Sequence, residues 1–256
     1  MTATLFSRSP DPLGSSAEAP TPGESVARHP GDGGPKRILD LFCGAGGAAM
    51  GYHLAWPDAE IVGVDIDPQP NYPFQFVQAD AMTFDLTGFD FVHASPPCQA
   101  HTTMSNRYRG RGGAADSHAD LIAGIRWRLT MHGAPYIIEN VPGARREMVA
   151  PITLTGGMFG LGVERPRLFD CSFPVTVPAR RKTVNPVGVY GRHHDGRRLF
   201  TRKDGTSQHA AASLEEGRQA MGGIDWMGWR ELAESIPPAY TRYLAEQYSA
   251  IVERAA

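Results

Sequence analysis

The fold is decided by the stretch Ile38-Leu39-Asp40-Leu41-Phe42-Cys43-Gly44-Ala45-Gly46-Gly47. Its first five residues predict a buried strand, its last five predict a tight glycine turn, and Ala48 to Ala55 predict a helix. A strand, a glycine turn and a helix open a nucleotide-binding βαβ unit, because glycines let the backbone approach a ligand at the helix N-terminus. The stretch therefore predicts an α/β fold with a ligand site at this turn.

Two acidic residues follow the next two predicted strands. Ile61 to Val64 predict the second strand, which ends in Asp65, and Phe74 to Val77 predict the third, which ends near Asp80. Asp65 lies about 25 residues after Asp40, close to the spacing at which an acid binds a ribose hydroxyl pair. Asp80 could accept a hydrogen bond from an adenine amino group. Either acid could instead cap its own loop.

The glycine turn also restricts the ligand. Its pattern is Gly44-x-Gly46-Gly47, not the Gly-x-Gly-x-x-Gly spacing that cradles a pyrophosphate, and it offers no Lys or Arg to a phosphate. A nucleoside cofactor without phosphates therefore fits better than a dinucleotide, and S-adenosylmethionine is the obvious candidate. The same spacing disfavours a dinucleotide-dependent oxidoreductase.

A cysteine follows a further predicted strand, Phe89 to His93. The chain continues Ala94-Ser95-Pro96-Pro97-Cys98-Gln99, and the two prolines stop regular structure and stiffen the backbone. Ligands of open α/β sheets bind at the carboxyl ends of strands, so Cys98 is well placed to be a nucleophile. Most free cysteines are small buried hydrophobes, however, and this stretch alone does not separate the two interpretations.

The chain after Cys98 contains a polar, glycine-rich segment from Gln99 to Ala115. It carries Arg107, Arg109 and Arg111, and it is either a solvated loop or a basic loop that closes over a phosphate backbone. A helix with an apolar stripe follows, formed by Leu121, Ile125 and Leu129.

A carboxyl group is predicted at the same sheet edge as Cys98. Tyr136 to Ile138 predict the next strand, which runs into Glu139-Asn140-Val141-Pro142. Taken alone, Glu139 would be interpreted as an ordinary loop acid. A functional interpretation of Glu139 depends on the other motifs in the sequence.

Together, these motifs resemble the DNA cytosine-5 methyltransferases. The likeness rests on Asp40-Leu-Phe-Cys-Gly-Ala-Gly-Gly47, Pro96-Pro-Cys-Gln99 and Glu139-Asn-Val141, followed by Arg165-Pro166-Arg167 and by Ser235-Ile236-Pro237-Pro238 before a C-terminal helix. It covers residues 36–170 and 233–256. Two positions depart from the family pattern: Val163 stands where the family has a glutamine, and Glu234 stands where it has an asparagine. The first concerns loop or base contacts, and the second the cofactor pocket.

The resemblance implies a doubly wound, mostly parallel, Rossmann-like sheet with helices on both faces and a small irregular target-recognition lobe at residues 171–232. It implies methylation of cytosine C5 in a specific DNA sequence, with the base flipped out of the duplex. Cys98 would add covalently to C6, and Glu139 would act at N3 as a carboxylic acid with a raised pKa. Arg165 and Arg167 would hold O2, and Asn140 would fix the Glu139 loop.

The resemblance also assigns the cofactor pocket and the DNA contacts. S-adenosylmethionine would be bound by Asp40, Phe42, Gly44, Gly46, Asp65, Ile66, Asp80 and Pro96, with the Phe42 ring beside the adenine. Double-stranded DNA would be bound by Gln99, Arg107, Arg109, Arg111, Arg192, Arg197 and Arg198. Two alternatives stay open: an RNA cytosine methyltransferase with the same chemistry, and an inactive DNA-binding member of the family.

Positive charge is concentrated in the predicted recognition lobe. From Pro178 to His209 there are eight Lys or Arg and two Asp, a net of +6, whereas the whole chain carries −2. A basic block inside an otherwise acidic protein is the expected footprint of a surface that faces nucleic acid. A solvated surface is the other explanation.

Composition bounds the remaining expectations. Residues 1–35 are rich in Pro, Gly, Ser and Ala without an apolar period, which predicts a disordered tail. Three isolated cysteines, Cys43, Cys98 and Cys171, favour a reducing, cytoplasmic setting and suggest neither a disulfide nor a metal site. No apolar run approaches the length of a membrane helix, so no membrane association is expected. We expect a monomer; a cognate restriction endonuclease as a partner is left open.

Overall fold

The computed structural model describes residues 34–97, 121–191, 194, 199–201 and 207–255. Several predicted site residues lie outside these ranges: Cys98, Gln99, Arg107, Arg109, Arg111, Arg192, Arg197 and Arg198. All but the last two residues of the predicted N-terminal tail also lie outside them.

Five parallel strands form the larger part of a seven-stranded sheet: β1 (Arg37–Leu41), β2 (Glu60–Asp65), β3 (Gln75–Gln78), β4 (Phe91–Ala94) and β5 (Tyr136–Asn140). Two more strands complete it, β6 (Ile152–Leu154) and β7 (Arg167–Cys171), and β7 is antiparallel to both β5 and β6. The strand order is β3-β2-β1-β4-β5-β7-β6. The order of strands reverses between β1 and β4, which is where ligands of open α/β sheets bind.

Helices cover both faces of this sheet. The α-helices are α1 (Gly47–Ala55), α2 (Ile122–His132), α3 (Leu214–Ala220), α4 (Trp229–Glu234) and α5 (Pro238–Ala255). Two 3₁₀ turns lie at Pro142–Glu147 and Gly156–Phe159. Apolar side chains of the strands form one buried cluster with α1 and α5 and a second cluster with α2. The predicted doubly wound, mostly parallel architecture is therefore confirmed.

Close packing of α1 against α5 depends on a glycine. A Cβ atom placed on Gly51 would collide with the Thr241 hydroxyl and with the carbonyl oxygen of Pro238. The Thr241 hydroxyl donates to the carbonyl of Ala48 at 2.8 Å, so a polar contact joins the two helices inside an apolar cluster. The C-terminal helix is thereby fixed against the helix that begins at the glycine turn.

The apolar stripe predicted for the helix after the basic segment is correct at two of its three positions. Leu121 is the N-cap of α2 and only partly buried, whereas Ile122, Ile125 and Leu129 are buried. A helix face repeats every three to four residues, so positions 122, 125 and 129 satisfy the period as well as the predicted set does.

The predicted recognition lobe is more regular than expected. It contains α3, the first residues of α4 and an antiparallel pair formed by β8 (Leu199–Thr201) and β9 (Ser207–His209). Its buried side chains Met221, Ile224 and Met227 pack in one cluster with Ala45 of the glycine turn. Trp226 Nε1 also donates to the carbonyl of Ala45 at 2.8 Å. This part of the chain is therefore packed directly against the predicted cofactor turn.

Within the described ranges, no helix has the length and apolar character that crossing a membrane requires.

Candidate active site

A buried carboxyl group and a guanidinium meet where β5 and β7 pair. Glu139 lies opposite Phe169 in the antiparallel register, and Arg167 is two residues from Phe169, so both side chains project from the same face of the sheet. Arg167 Nε lies 3.0 Å from Glu139 Oε1. Burial raises the pKa of Glu139, while Arg167, a hydrogen bond with Ser95 and the charge of Arg165 oppose that rise. The pKa of this carboxyl group is therefore above its ordinary value although a positive charge lies beside it.

The turn that leads to Cys98 is held by its neighbouring strands. Asn140 Nδ2 donates to the carbonyl of Pro96 at 3.1 Å, and Asn140 Oδ1 accepts from the N–H of Val141 at 2.9 Å. The N–H of Ser95 donates to the carbonyl of Leu41 at 3.0 Å. Asn140 was predicted only to fix the Glu139 loop. It also fastens the Pro96 turn to the strand that carries Glu139.

Arg165 has a different role from the one predicted. Its side chain is 1% exposed, and Nε, Nη1 and Nη2 donate to the carbonyls of Ser235, Val189 and Ala233 at 2.8, 3.0 and 2.6 Å. The predicted contact between Arg165 and O2 of the base is therefore wrong in this structure, because the guanidinium is enclosed and bonded to main chain. Arg165 instead joins the lobe and the segment before α5 to the central sheet.

Val163, at the first departure from the family pattern, lies in an apolar environment. It is 2% exposed and belongs to the cluster that contains Ala45, Met221 and Met227. Its apolar side chain fits the contact between the lobe and the glycine turn. Glu234, at the second departure, is exposed at the end of α4.

A buried acid lies beside the glycine turn. Asp40 is fully buried, and its Oδ2 accepts from the Tyr72 hydroxyl at 3.3 Å, whereas its Oδ1 has no hydrogen-bond partner among the described residues. Burial raises the pKa of Asp40, and the hydrogen bond from Tyr72 opposes the rise. A buried carboxylate oxygen without a partner is costly, and a positively charged ligand would reduce that cost.

The backbone of the turn is open where a cofactor would approach. Gly44 has a φ of +48°, and no atom lies within 4 Å of the position that a Cβ would occupy there. The N–H of Gly44 donates to Asp65 Oδ2 at 3.0 Å, and the N–H of Asp67 donates to Asp65 Oδ1 at 3.1 Å. Asp65 therefore orders the turn, and its carboxylate retains acceptor capacity for a ribose hydroxyl.

The other predicted cofactor residues follow adjacent strands. Phe42 comes directly after β1 and has a φ of 57°, an uncommon conformation for a bulky residue that marks a constrained position. Ile66 is 68% exposed after β2. Asp80 follows β3, is exposed, and accepts from the N–H of Met82 at 2.8 Å. With Gly46 in the turn and buried Pro96 after β4, these positions lie along one edge of the sheet.

Neither of the two cysteines in the described ranges has the environment of a thiolate. Cys43 is buried, and burial raises its pKa far above the ordinary value for a thiol. Cys171 is partly buried at the end of β7, and burial raises its pKa to about 12. A nucleophilic cysteine needs a lowered pKa, so the described cysteines do not compete with Cys98 for that role.

Three polar side chains of the core were not predicted from the sequence: Tyr52, Tyr72 and His93. Tyr72 contacts Asp40, and Tyr52 contacts His93, whose ring also contacts Ser95. One signal for His93 was present, since it is the only polar residue of Phe91–Ala94. A polar residue inside a fully buried strand needs a partner.

Comparison with known proteins identifies the fold. The Entamoeba histolytica methyltransferase EhMeth is similar to this chain with a TM-score of 0.53, over 84% of this chain and 98% of that one, at 12% identity. The chain has a methyltransferase fold. No protein-family model matches the chain, and no curated protein matches it.

Two further solved methyltransferase structures match weakly. An RNA methyltransferase from Salinibacter ruber, in complex with S-adenosyl-L-homocysteine, has a TM-score of 0.30 at 15% identity over 57% of this chain and 86% of that one. A predicted O-methyltransferase from Agrobacterium tumefaciens has a TM-score of 0.31 at 17% identity over 53% of this chain and 72% of that one.

Proposed function

We propose that this protein transfers a methyl group from S-adenosylmethionine to C5 of cytosine in double-stranded DNA. The observation that carries the proposal is the buried pair of Glu139 and Arg167, fastened through Asn140 to the turn that leads into Cys98. A carboxyl group whose pKa is raised by burial, beside a guanidinium and near the turn that precedes Cys98, matches the needs of this reaction. The methyltransferase fold supports the reaction class.

The nucleophile of the proposed reaction is Cys98. Cytosine C5 is a poor nucleophile, but addition of a thiolate to C6 makes C5 enamine-like and able to take an electrophilic methyl group. Negative charge then develops on the ring, and Glu139 gives a proton to N3. Loss of the C5 proton to a base, taken to be solvent, expels the Cys98 thiolate, and N3 returns its proton to the Glu139 carboxylate, which restores the ring. Because C6 is inaccessible in a stacked duplex, the base has to leave the helix.

Arg167 is the candidate for the contact with O2. It lies beside the carboxyl group that would serve N3, and N3 and O2 of cytosine are both bonded to C2. A guanidinium fixed next to a developing negative charge stabilises the transition state without reorganisation. Arg165, by contrast, supports the site by holding the surrounding backbone.

The cofactor would be held at the glycine turn. It would supply the electrophilic methyl group, and its positive charge would offset the buried carboxylate of Asp40. Open backbone at Gly44 leaves room for the ligand. Asp65 would accept a hydrogen bond from a ribose hydroxyl, and Asp80 would accept one from the adenine amino group. Phe42 and Ile66 would supply apolar contacts to the adenine ring.

The proposal is tested by bisulfite sequencing of DNA from cells that express the protein, with Cys98→Ala and Cys171→Ala for comparison. We expect protected cytosines within one short sequence for the wild type and for Cys171→Ala, and none for Cys98→Ala. Transfer of labelled methyl groups to duplex DNA and to RNA in vitro separates the nucleic acids. Label in RNA alone would favour the RNA alternative, and no label in either would favour an inactive DNA-binding protein.

A further inference from the structure

The glycine turn after β1 is enclosed at some of its residues and open at another. A Cβ atom on Gly46 would contact the Tyr72 ring, and one on Gly47 would collide with the carbonyl oxygen of Ile236. At Gly44, by contrast, nothing lies within 4 Å of the Cβ position. Other segments of the protein therefore close the turn at Gly46 and Gly47, and a ligand can approach its backbone at Gly44.

The carbonyl of Ala45, between these positions, has a donor from a distant part of the chain. Gly46 is the N-cap of α1, and its carbonyl accepts the first bond of the helix, from the N–H of Met50 at 3.0 Å. Ala45 precedes the N-cap and so lies outside this ladder of helical bonds. Trp226 Nε1, which can only donate, supplies the bond to the Ala45 carbonyl at 2.8 Å.

Trp226 belongs to the predicted recognition lobe and not to the βαβ unit that forms the turn. It lies between α3 and α4 and is partly buried. Its ring packs against the cluster in which Ala45 meets Met221, Ile224 and Met227. Apolar packing and one directed hydrogen bond thus hold this indole against the turn.

The turn has no regular structure to maintain its shape. Phe42, Gly44 and Gly46 all have positive φ angles, of 57°, 48° and 83°. Without the bond from Trp226, the peptide unit of Ala45 could adopt other orientations, and Gly44 and Gly46 would move with it. A ligand that requires one conformation of the turn binds more weakly in proportion to the population that is lost.

We propose that Trp226 is a positioning residue for the cofactor: its indole holds the Ala45 carbonyl and so keeps the backbone at Gly44 in the conformation that S-adenosylmethionine requires. This rests on the use of that cofactor proposed above. The recognition lobe would then contribute to the cofactor site as well as to the DNA surface.

The first arm of the test measures cofactor affinity directly. Isothermal titration of the full chain with S-adenosyl-L-homocysteine gives Kd without any methyl transfer. Trp226→Phe keeps an aromatic ring and loses the donor, so we expect Kd to rise by about 5- to 20-fold, the size of one hydrogen bond. A folded Trp226→Phe protein with the wild-type Kd would overturn the proposal.

Trp229 offers a matched control in the same lobe. It packs against the same apolar cluster, and its Nε1 donates to the carbonyl of Gly191 at 3.2 Å, not to the turn. Trp229→Phe should therefore lower the free energy of unfolding and leave Kd for S-adenosyl-L-homocysteine unchanged. An equal rise in Kd for Trp226→Phe and Trp229→Phe would show a general loosening of the lobe and would also overturn the proposal.

The second arm needs no ligand. Hydrogen exchange measured by mass spectrometry reports the mobility of the turn in peptides that cover residues 42–50. Exchange there should be faster in Trp226→Phe than in the wild type and unchanged in Trp229→Phe. Equal exchange in all three proteins would show that the indole does not hold the turn.

The third arm uses the wild type alone and decides the question if Trp226→Phe does not fold. In protein labelled with ¹⁵N-tryptophan, the indole N–H resonance of Trp226 should shift as S-adenosyl-L-homocysteine is added, and that of Trp229 should not. An unshifted Trp226 resonance at saturation would overturn the proposal. Binding of the cofactor without methylation of cytosine would refute the proposed DNA reaction and leave the role of Trp226 intact, whereas a wild type that binds neither S-adenosylmethionine nor S-adenosyl-L-homocysteine would refute that role.

Discussion

The side-chain amide of Asn140 donates from Nδ2 to the carbonyl oxygen of Pro96 at 3.1 Å. This bond joins the end of β5 to the turn after β4, and both groups are buried. Glu139 precedes Asn140, and Cys98 lies two residues after Pro96 in the sequence. Two distant parts of the chain that the proposed reaction needs are therefore fastened to each other by one side chain.

Removing this amide should loosen the turn. Asn140→Ala leaves the Pro96 carbonyl buried without a donor, so the free energy of unfolding should fall by about 1–3 kcal/mol. Methyl transfer should fall much more steeply than stability, because the nucleophile is no longer held relative to Glu139. Chemical denaturation and a methylation assay measure the two effects. Asn71→Ala is the control: its amide contacts Glu231 at an exposed position, and it should cost no more than about 0.5 kcal/mol.

The two arginines should separate stability from chemistry. Arg165→Ala leaves three main-chain carbonyls without their donor in a buried site, so it should lower the free energy of unfolding by about 3 kcal/mol or more. Arg167→Ala leaves the buried Glu139 carboxyl without its partner, but Glu139 can take up a proton, so we expect a smaller loss of stability than for Arg165→Ala. Methyl transfer should fall by about 100-fold or more, the size expected for one transition-state donor. If Arg165→Ala unfolded at the wild-type denaturant concentration, the structural role assigned to Arg165 would be wrong.

His93 should make stability depend on pH. Its pKa is lowered to about 3 in the folded protein from the ordinary value of 6.5, so the unfolded chain binds more protons between these values. Stability from this group is therefore complete above pH 6.5 and is lost as pH falls, by up to about 1.4 kcal/mol per pH unit. Glu139 and Asp40 act oppositely, since their raised pKa values favour the folded state at lower pH.

Comparison with a variant isolates the histidine. Urea denaturation of the wild type and of His93→Gln at a series of pH values gives the difference in stability at each pH. That difference should change in favour of the variant as pH falls below 6.5, because only the wild type carries the buried imidazole. Equal pH slopes for the two proteins would show that His93 takes up a proton in the folded state.

DNA binding by the basic block, residues 178–209, should depend on salt concentration. Arg180, Arg181 and Lys182 are exposed, and an Ala substitution at a residue that binds a phosphate should weaken DNA binding equally for all sequences. It should also reduce the slope of log affinity against log salt by roughly one unit. Binding of single Ala variants at several salt concentrations measures this. If none of the eight basic residues changes affinity, salt slope or site preference, the block does not face DNA.

The sequence predicted the elements that local pattern determines. The first strand, the glycine turn and α1 were expected within one residue of their observed bounds, because glycine spacing and a continuous apolar run specify them locally. The placement of Glu139 and of the Pro96 turn at one edge of the sheet followed from the rule that parallel strands end at one edge.

Residues whose partners are distant in sequence were harder to predict. Arg165 bonds to carbonyls at Val189, Ala233 and Ser235, and no motif indicates that these lie around it. The contacts of His93 with Tyr52 and Ser95 likewise depend on α1 crossing β4. The sequence pattern gives the order of such residues, whereas their contacts arise only from tertiary packing.

The central claim is that Cys98 forms a covalent bond with cytosine C6 during methyl transfer to C5. Duplex DNA that carries 5-fluorocytosine at the target site tests it most directly, because fluorine cannot leave as the C5 proton does. With S-adenosylmethionine present, the wild type and Cys171→Ala should form a complex that survives denaturing electrophoresis, and Cys98→Ala should form none. A denaturation-resistant complex with Cys98→Ala, or full methylation of normal DNA by that variant, would contradict the account.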